Sequence, residues 1–201
     1  MTNSALPEIT DVRENILATG QRIMAGKGFS AVGLNEILLT AVVPKGSFYH
    51  YFSSKDAFGE AMLRSYFDSY WAELEQTLSL PNQNMAQRLM SYWNAWQHTQ
   101  SFYECQGKCL AVKLGAEVAD LSEAMRLELK RGTAGIVERL ARAITAGVEE
   151  GSLAVDETPA CAAQSLYQLW MGASLMVKIV RTLQPFETAM LTTRKILHVP
   201  E

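Results

Sequence analysis

The amino-acid sequence predicts an all-α fold, and three observations support this prediction. Apolar residues recur at intervals of three and four along most of the 201-residue chain, which is the spacing of one face of a helix. Glycine and proline separate these stretches, for example at Gly26, Gly28 and Pro81. No stretch shows the strict alternation that is typical of a strand. The chain could form one helical domain or a small domain joined to a larger one.

The first predicted helix begins after Thr10 and ends at residues 26–28. Thr10 is a suitable N-cap because its hydroxyl can accept a hydrogen bond from a free backbone N–H group, and glycine suits the end of a helix. The apolar stripe of this helix consists of Ile16, Leu17, Ile23 and Met24. We expect this helix to support the two shorter helices that follow.

Two short helices joined by a tight turn are predicted next. Leu34, Ile37 and Leu38 have the spacing of a helix of about two turns. Pro44 then stands near the start of the following helix, where its missing N–H group leaves no hydrogen bond unmade. This arrangement is typical of a helix-turn-helix, which places its second helix in the major groove of DNA. An ordinary pair of helices in a helical core is the alternative.

The second short helix combines an apolar side with a polar side. Phe48 and Phe52 share the inward side at i, i+4 spacing, with Tyr51 beside them. Gly46 and His50 then point most directly outward. The polar side offers glycine backbone, hydroxyl groups and flanking ammonium groups, which suit contacts with DNA. The predicted DNA-binding residues are Lys45, Gly46, Ser47, Tyr49, His50, Tyr51 and Lys55.

The remainder of the chain is predicted to be helical almost throughout. Ser53 followed by Asp56 resembles a capping box that would start a long helix, and Pro81 would close it. Predicted helices occupy residues 54–78, 85–104, 109–118, 122–149, 159–182 and 185–197. We place a DNA-binding domain in residues 1–54 and a larger helical domain in residues 55–201.

The charge of the chain argues against a large DNA-binding surface. The net charge is −3, whereas nucleic-acid-binding domains are commonly basic. DNA binding therefore requires local segregation of charge, with Lys45, Lys55 and also Lys27 facing phosphates. Few neutralised phosphates would release few counterions, so we expect weak non-specific affinity.

The sequence also argues against an enzyme and a membrane protein. The histidines lie far apart, and no metalloprotease, hydrolase or P-loop motif is present. A metal site formed by His98 with Cys105 and Cys109 is a remote alternative. The longest apolar segment, residues 166–180, is interrupted by polar residues and is too short to span a bilayer. We expect a cytoplasmic protein with reduced cysteines and no cofactor.

Cys109 stands at the start of a predicted helix, between Lys108 and Lys113. The positive end of the helix dipole and two nearby ammonium groups would favour the thiolate, which is the nucleophilic form of cysteine. Such a residue would react with electrophiles and oxidants. The alternative is a small buried residue whose thiol is inert.

Residues 45–58, KGSFYHYFSSKDAF, are similar to the motif that marks the TetR family of transcriptional regulators. The chain departs from that family at Val42-Val43-Pro44, where many members have Gly-Val-Ser, and at Gly33, where Thr is common. Residues 33–46, 109–114 and 116–118 more narrowly resemble the NemR-type repressors of that family, which sense reactive electrophiles. The resemblance implies a homodimer, a palindromic operator, and an inducer such as a quinone, an aldehyde or hypochlorite.

The same resemblance implies roles for residues of the larger domain. Cys109 would be the sensor and Lys178 its partner; a lysine that reaches water from the edge of an apolar surface is the alternative for Lys178. The implied effector pocket contains Trp93, Trp96, Tyr103 and Trp170, although such aromatic residues are more often core. The implied dimer interface contains Leu166, Leu169, Ala173 and Met176, in a four-helix bundle with the last helix.

We therefore predict a repressor with two states. The unmodified dimer would hold its two recognition helices at the spacing of adjacent major grooves, and modification of Cys109 would change that spacing. Two alternatives remain at this point. A reversible hydrophobic ligand could replace the electrophile, or the chain could be a helical interaction protein that does not bind DNA.

Overall fold

The computed structural model describes residues 9–100 and 109–199. Within these residues the chain forms nine helices and no strand. The helices are α1 (Ile9–Lys27), α2 (Leu34–Ala41), α3 (Lys45–Tyr51), α4 (Lys55–Leu78), α5 (Met85–Gln100), α6 (Leu110–Leu121), α7 (Glu123–Glu149), α8 (Pro159–Val180) and α9 (Gln184–Ile196). In this part of the chain, no helix has the length and apolar character needed to cross a membrane.

α1 ends where the sequence predicted but starts earlier. Gly28 has a left-handed φ of 95°, and its N–H group donates to the Met24 carbonyl at 2.8 Å, so glycine ends the helix without strain. Thr10, the predicted N-cap, lies inside the helix because Ile9 before it is already helical. That prediction is wrong.

α2 and α3 form the predicted helix-turn-helix. Val42, the C-cap residue of α2, has a left-handed conformation with φ 56° and ψ 46°. Glycine is expected here from the family resemblance, and a β-branched residue is strained in this conformation. The Val43 N–H group donates to the Leu38 carbonyl at 3.0 Å, so the turn closes despite the substitution. Pro44 is the N-cap residue of α3 and not its first helical residue.

The starts of α4 and α6 differ from the predictions by one residue. The Ser54 hydroxyl accepts a hydrogen bond from the Ala57 N–H group at 3.0 Å, so Ser54 and not Ser53 caps α4. α6 begins at Leu110, and Cys109 is its N-cap residue. The last four residues of the predicted helix 85–104 lie outside the described residues.

α4 and α7 cross with their backbones close together. A Cβ atom on Gly132 would lie 2.1 Å from the Phe67 ring, and one on Gly135 would lie 2.3 Å from the Trp71 ring. The Trp71 indole N–H donates to the Gly132 carbonyl at 3.1 Å. Glycine at these two positions of α7 therefore makes room for two aromatic rings of α4.

Buried side chains form one continuous cluster from α1 and α3 to α8 and α9. Phe48, Phe67, Trp170 and Phe186 belong to it and have no exposed surface. α1 packs against both α4 and α6. The helix-turn-helix is therefore seated directly on the helices that follow it.

Candidate nucleic-acid interface and thiol site

The polar side of α3 is exposed, as the sequence predicted. Gly46 and His50 are exposed, Tyr49 is 53% exposed, and Ser47 and Tyr51 are half-buried. A Cβ atom on Gly46 would meet no atom within 4 Å. The α3 backbone can therefore approach another surface closely at this position.

Aromatic side chains pack against the buried side of α3. Phe48 has its ring centroid 5.2 Å from that of Phe52 and 5.5 Å from that of Phe58. The Asn15 side chain of α1 donates to the Ala41 carbonyl, at the end of α2, at 2.9 Å. These contacts fix the orientation of α3, so its exposed groups project from a rigid base.

Lys45 and Lys27 have different surroundings. Lys45 is exposed, and its ammonium group lies 6.0 Å from the Tyr49 ring centroid. Lys27 forms an ion pair with Glu36 at 2.5 Å. Of the two, Lys45 is the better placed for a phosphate, because Lys27 would first have to leave its carboxylate.

Lys55 points toward the protein. Its ammonium group donates to the Phe29 carbonyl at 2.8 Å and lies 4.5 Å from the Phe29 ring centroid. Burial lowers the pKa of Lys55, although the charges of Glu117 and Asp56 act in the opposite direction. A phosphate contact by Lys55 would require this ammonium group to give up the Phe29 carbonyl.

Glu117 of α6 was not among the predicted site residues, yet it contacts the loop beside the helix-turn-helix. Its carboxylate accepts hydrogen bonds from the N–H groups of Phe29 at 3.0 Å and Ser30 at 2.7 Å. These partners are 88 and 87 positions away in the sequence. No local pattern could have indicated the contact.

Cys109 is buried, with 4% of its surface exposed. Burial raises the pKa of its thiol, while hydrogen bonds from the Val112 N–H group and the Tyr66 hydroxyl and the charge of Lys178 oppose this effect. The expectation that the helix start would favour the thiolate is therefore wrong for the resting protein, because burial outweighs it. The charge of Lys178 acts on the Cys109 thiol, and the implied role of Lys178 as its partner stays a prediction.

Cys109 lines a cavity of about 370 Å³ between α1, α4 and α5. Tyr66, Tyr70, Tyr92 and Trp96 also line it, and the hydroxyl oxygens of Tyr70 and Tyr92 are 2.9 Å apart. The volume is in the range of small-molecule sites. The thiol thus borders a space that a small molecule can occupy.

Of the predicted effector-pocket residues, Trp96 lines this cavity, while Trp93 and Trp170 belong to the core. The rings of Trp93 and Trp170 stack with centroids 4.9 Å apart, and neither residue has exposed surface. The Trp170 indole N–H donates to the Thr193 hydroxyl at 2.9 Å. The core alternative therefore applies to Trp93 and Trp170, and Tyr103 lies outside the described residues.

The predicted dimer-interface residues are divided between the inside and the outside of the subunit. Leu166 and Ala173 are buried in the core of their own chain, Leu169 is half-buried, and Met176 is exposed. The prediction fails for Leu166 and Ala173 because α8 is apolar on two sides. An exposed surface, here called the α8–α9 apolar face, consists instead of Leu175, Met176, Ile179, Val180, Leu183 and Leu191.

The described residues contain no group of three or more histidine, cysteine, aspartate or glutamate side chains that could hold a metal ion. The remote alternative of a metal site also involved Cys105, which lies outside the described residues. His98 and Cys109 alone do not provide the ligands of a structural zinc site.

Two family models match the chain. The model described as bacterial regulatory proteins, tetR family, matches residues 16–62. The model described as tetracyclin repressor-like, C-terminal domain, matches residues 86–193. The first match includes α2 and α3, and the second includes α6, α7 and α8.

Two curated repressors and one solved structure are similar to the chain over most of their length. The chain is 41% identical over 190 residues to the HTH-type transcriptional repressor NemR of Escherichia coli K12, covering 94% of this chain and 96% of that protein. It is 33% identical over 178 residues to the HTH-type transcriptional repressor DhaR of Mycobacterium sp. GP1, covering 89% and 88%. The crystal structure of E. coli NemR in its reduced form has a TM-score of 0.89 at 42% identity, covering 94% of this chain and 98% of that one.

These similarities include both the helix-turn-helix and the helices that carry the cavity. Repressors of this family bind operator DNA, act as dimers and are not enzymes. The chain belongs to the TetR family of bacterial regulatory proteins and is a DNA-binding transcriptional repressor.

Proposed function

We propose that this repressor leaves its operator when an electrophile or oxidant modifies Cys109. The observation that carries the proposal is the position of Cys109, which borders the cavity and also caps α6. Burial raises the pKa of the thiol, and Tyr66 and the charge of Lys178 act against burial to favour the thiolate that the reaction requires. The crystallised E. coli relative is described as a reduced form, which supports a redox-dependent state in that protein.

The reaction places new atoms inside the cavity. In an addition to a quinone or an unsaturated aldehyde, the sulfur forms a bond to carbon and the thiol proton passes to the electrophile. The adduct must then fit between α4 and α5, beside the first turn of α6. We infer that it moves α6 relative to α4 and so changes the separation of the two α3 helices in a dimer.

The α8–α9 apolar face is proposed to join two copies of the chain. Such a face is costly to leave in water, and a symmetric dimer would cover it. Two α3 helices about 34 Å apart, or a multiple of this, would read the half-sites of a palindromic operator.

The DNA contacts are proposed to come chiefly from Lys45, Gly46, Ser47, Tyr49 and His50. Tyr51 and Lys55 would contribute less, because Tyr51 is half-buried and Lys55 is bonded to Phe29. Replacement of Tyr49 by Phe, or of His50 by Ala, should weaken operator binding by about 1–3 kcal/mol for a base contact. Thr145→Ala, at an exposed position of α7, is the matched control. Equal affinities of all three variants would refute the interface.

The cysteine switch is tested by operator binding before and after treatment with an electrophile. Cys109→Ser should stay bound to the operator after treatment, and Cys161→Ser should be released like the wild type, since Cys161 is exposed and does not line the cavity. Intact mass spectrometry should show one adduct fewer on Cys109→Ser. If Cys109→Ser leaves the operator at the same electrophile concentration that releases the wild type, the switch is refuted.

A reversible ligand is the second candidate inducer, and the cavity itself favours it. Aromatic rings and the paired hydroxyls of Tyr70 and Tyr92 could hold a small aromatic molecule without a covalent bond. Such an inducer would release the repressor from DNA with no change in protein mass, and Cys109→Ser would still respond to it.

A further inference from the structure

The loop between α1 and α2 is held by a carboxylate from α6. Both oxygens of Glu117 are used: Oε2 accepts from the Phe29 N–H group at 3.0 Å, and Oε1 accepts from the Ser30 N–H group at 2.7 Å. Hydrogen bonds to a charged acceptor are among the stronger ones in proteins. Glu117 therefore holds two consecutive backbone amides just before the helix-turn-helix.

The same loop is held from a second direction by α4. The Lys55 ammonium group donates to the carbonyl of Phe29, whose N–H group is bonded to Glu117. Gly28 lies beside this contact, and a Cβ atom there would be 3.0 Å from Glu117 Oε2. Phe29 is thus bonded to both α4 and α6, and Ser30 is bonded to α6.

Glu117 remains ionised in this position. Burial acts to raise its pKa, but hydrogen bonds from Ser30 and Phe29 and the charge of Lys113 outweigh burial, and the pKa of Glu117 lies below its ordinary value. The carboxylate is available as a double acceptor throughout the neutral pH range.

Glu117 and Cys109 are parts of one short structural unit. Cys109 caps α6, and Glu117 lies about two turns along the same helix. α6 packs against α1, α7 and α8. A displacement of the start of α6 would therefore reach the α1–α2 loop through Glu117 without passing along α4.

We propose that Glu117 is a positioning residue for operator binding: it fixes the helix-turn-helix in the orientation that the operator requires. This role does not depend on the chemistry of Cys109. Only its extension, in which Glu117 transmits the state of the Cys109 thiol to the helix-turn-helix, rests on the proposed cysteine switch.

The test compares Glu117→Gln and Glu117→Ala with Asp120→Asn, a matched control on the exposed side of α6. Each variant removes one negative charge, which by itself should strengthen binding to DNA. We expect the opposite sign at Glu117, with an operator Kd about tenfold higher for Gln and higher still for Ala, in the usual range of coupling between sites. Asp120→Asn should bind as well as the wild type or slightly better.

Amide hydrogen exchange separates positioning from a loss of overall stability. In Glu117→Gln we expect the Phe29 and Ser30 amides to exchange about tenfold faster or more, while amides in the core of α4 and α7 keep their wild-type rates. Equal acceleration everywhere, unchanged exchange at Phe29 and Ser30, or tighter operator binding by both Glu117 variants would overturn the proposal. These results hold whether or not an electrophile acts on Cys109.

The extension is tested with protein alkylated by N-ethylmaleimide. Alkylation should raise the operator Kd of the wild type if release requires Cys109. If Glu117 also transmits this change, alkylation should raise the operator Kd of Glu117→Ala by a smaller factor than it raises that of the wild type. If the wild type is not released, the cysteine switch fails, and the role of Glu117 is judged from the affinities and exchange rates alone.

Discussion

Tyr66 of α4 and Cys109, the N-cap residue of α6, line the same cavity, and the Tyr66 hydroxyl acts on the Cys109 thiol to lower its pKa. Burial and the neighbouring Cys109 hold the pKa of Tyr66 well above its ordinary value, so this hydroxyl keeps its proton. A neutral hydroxyl can only stabilise a nearby thiolate by donating to it. Tyr66 therefore connects the long helix α4 to the thiol.

Tyr66→Phe should make Cys109 react more slowly. The substitution removes a donor to sulfur and preserves the ring, so the pKa of the thiol should rise further. We expect the rate of alkylation at neutral pH to fall by about three- to tenfold, since a tenfold change corresponds to one pKa unit. Peptide mass spectrometry over a series of pH values gives this rate, with Cys161 of the same sample as the internal control. Equal Cys109 rates in the two proteins would show that the hydrogen bond has no influence.

Val42→Gly should stabilise the protein. Val42 is 89% exposed and left-handed, so glycine would remove backbone strain with little loss of packing. The relief of about 1–2 kcal/mol exceeds the entropic cost of glycine, which is about 0.5–1 kcal/mol. Urea unfolding measures the difference, and Val148→Gly in helix α7 should destabilise instead. A lower midpoint for Val42→Gly would mean that the valine side chain stabilises the turn in some other way.

The contribution of Glu128 to the stability of the protein should be lost at acid pH. This buried residue of α7 accepts from Arg64 of α4 at 2.6 Å and from Arg131 at 2.8 Å. Burial acts to raise the pKa of Glu128, but the two arginines outweigh it and the pKa lies below its ordinary value of 4.5. Its contribution is therefore complete above the ordinary value and is lost as pH falls through the lower, folded-state pKa.

Glu128→Gln should accordingly lose about 1–3 kcal/mol of unfolding free energy near pH 7. The variant and the wild type should then approach each other in stability as pH falls below about 4. Glu123→Gln is the matched control, because that carboxylate forms an exposed pair with Arg126 and such pairs contribute little. A constant difference between Glu128→Gln and wild type across this range would contradict the assignment.

Ile179→Asp should separate the dimer. Ile179 is 61% exposed in the subunit, so the subunit should fold normally, while an unpaired carboxylate in a covered apolar interface is costly. We expect the dissociation constant of the dimer to be at least about tenfold higher than for the wild type, as measured by sedimentation. Leu127→Asp, at an exposed position of α7, should leave the dimer intact. A dimeric Ile179→Asp would place the interface elsewhere.

Helix positions could be predicted well because their signals are local. Pro159 stands in the first turn of α8 and Ser122 caps α7, and both residue types favour helix starts. The inward and outward sides of α3 followed from the spacing of Phe48 and Phe52 in the same way. Periodicity within one helix suffices for such predictions.

The burial of Cys109 and the outward side of α8 could not be predicted, because they depend on contacts between distant parts of the chain. The thiol of Cys109 is buried by Tyr66 and its neighbours, which no pattern around Cys109 indicates. α8 is apolar on two sides, so periodicity alone could not decide whether Leu166 or Ile179 faces a partner. A second stripe at Leu175, Ile179 and Leu183, with i, i+4 spacing, was the available signal.

The placement of Trp96 gives the protein an optical reporter of its own state. Its indole lines the cavity and donates to the Ser174 hydroxyl of α8 at 2.9 Å, whereas Trp93 and Trp170 are sealed from water. A molecule that enters beside Cys109 changes the polarity around the indole of Trp96, whereas Trp71, Trp93 and Trp170 do not line the cavity. Emission from the unlabelled repressor therefore follows occupancy of the cavity, and it does so before any DNA is added.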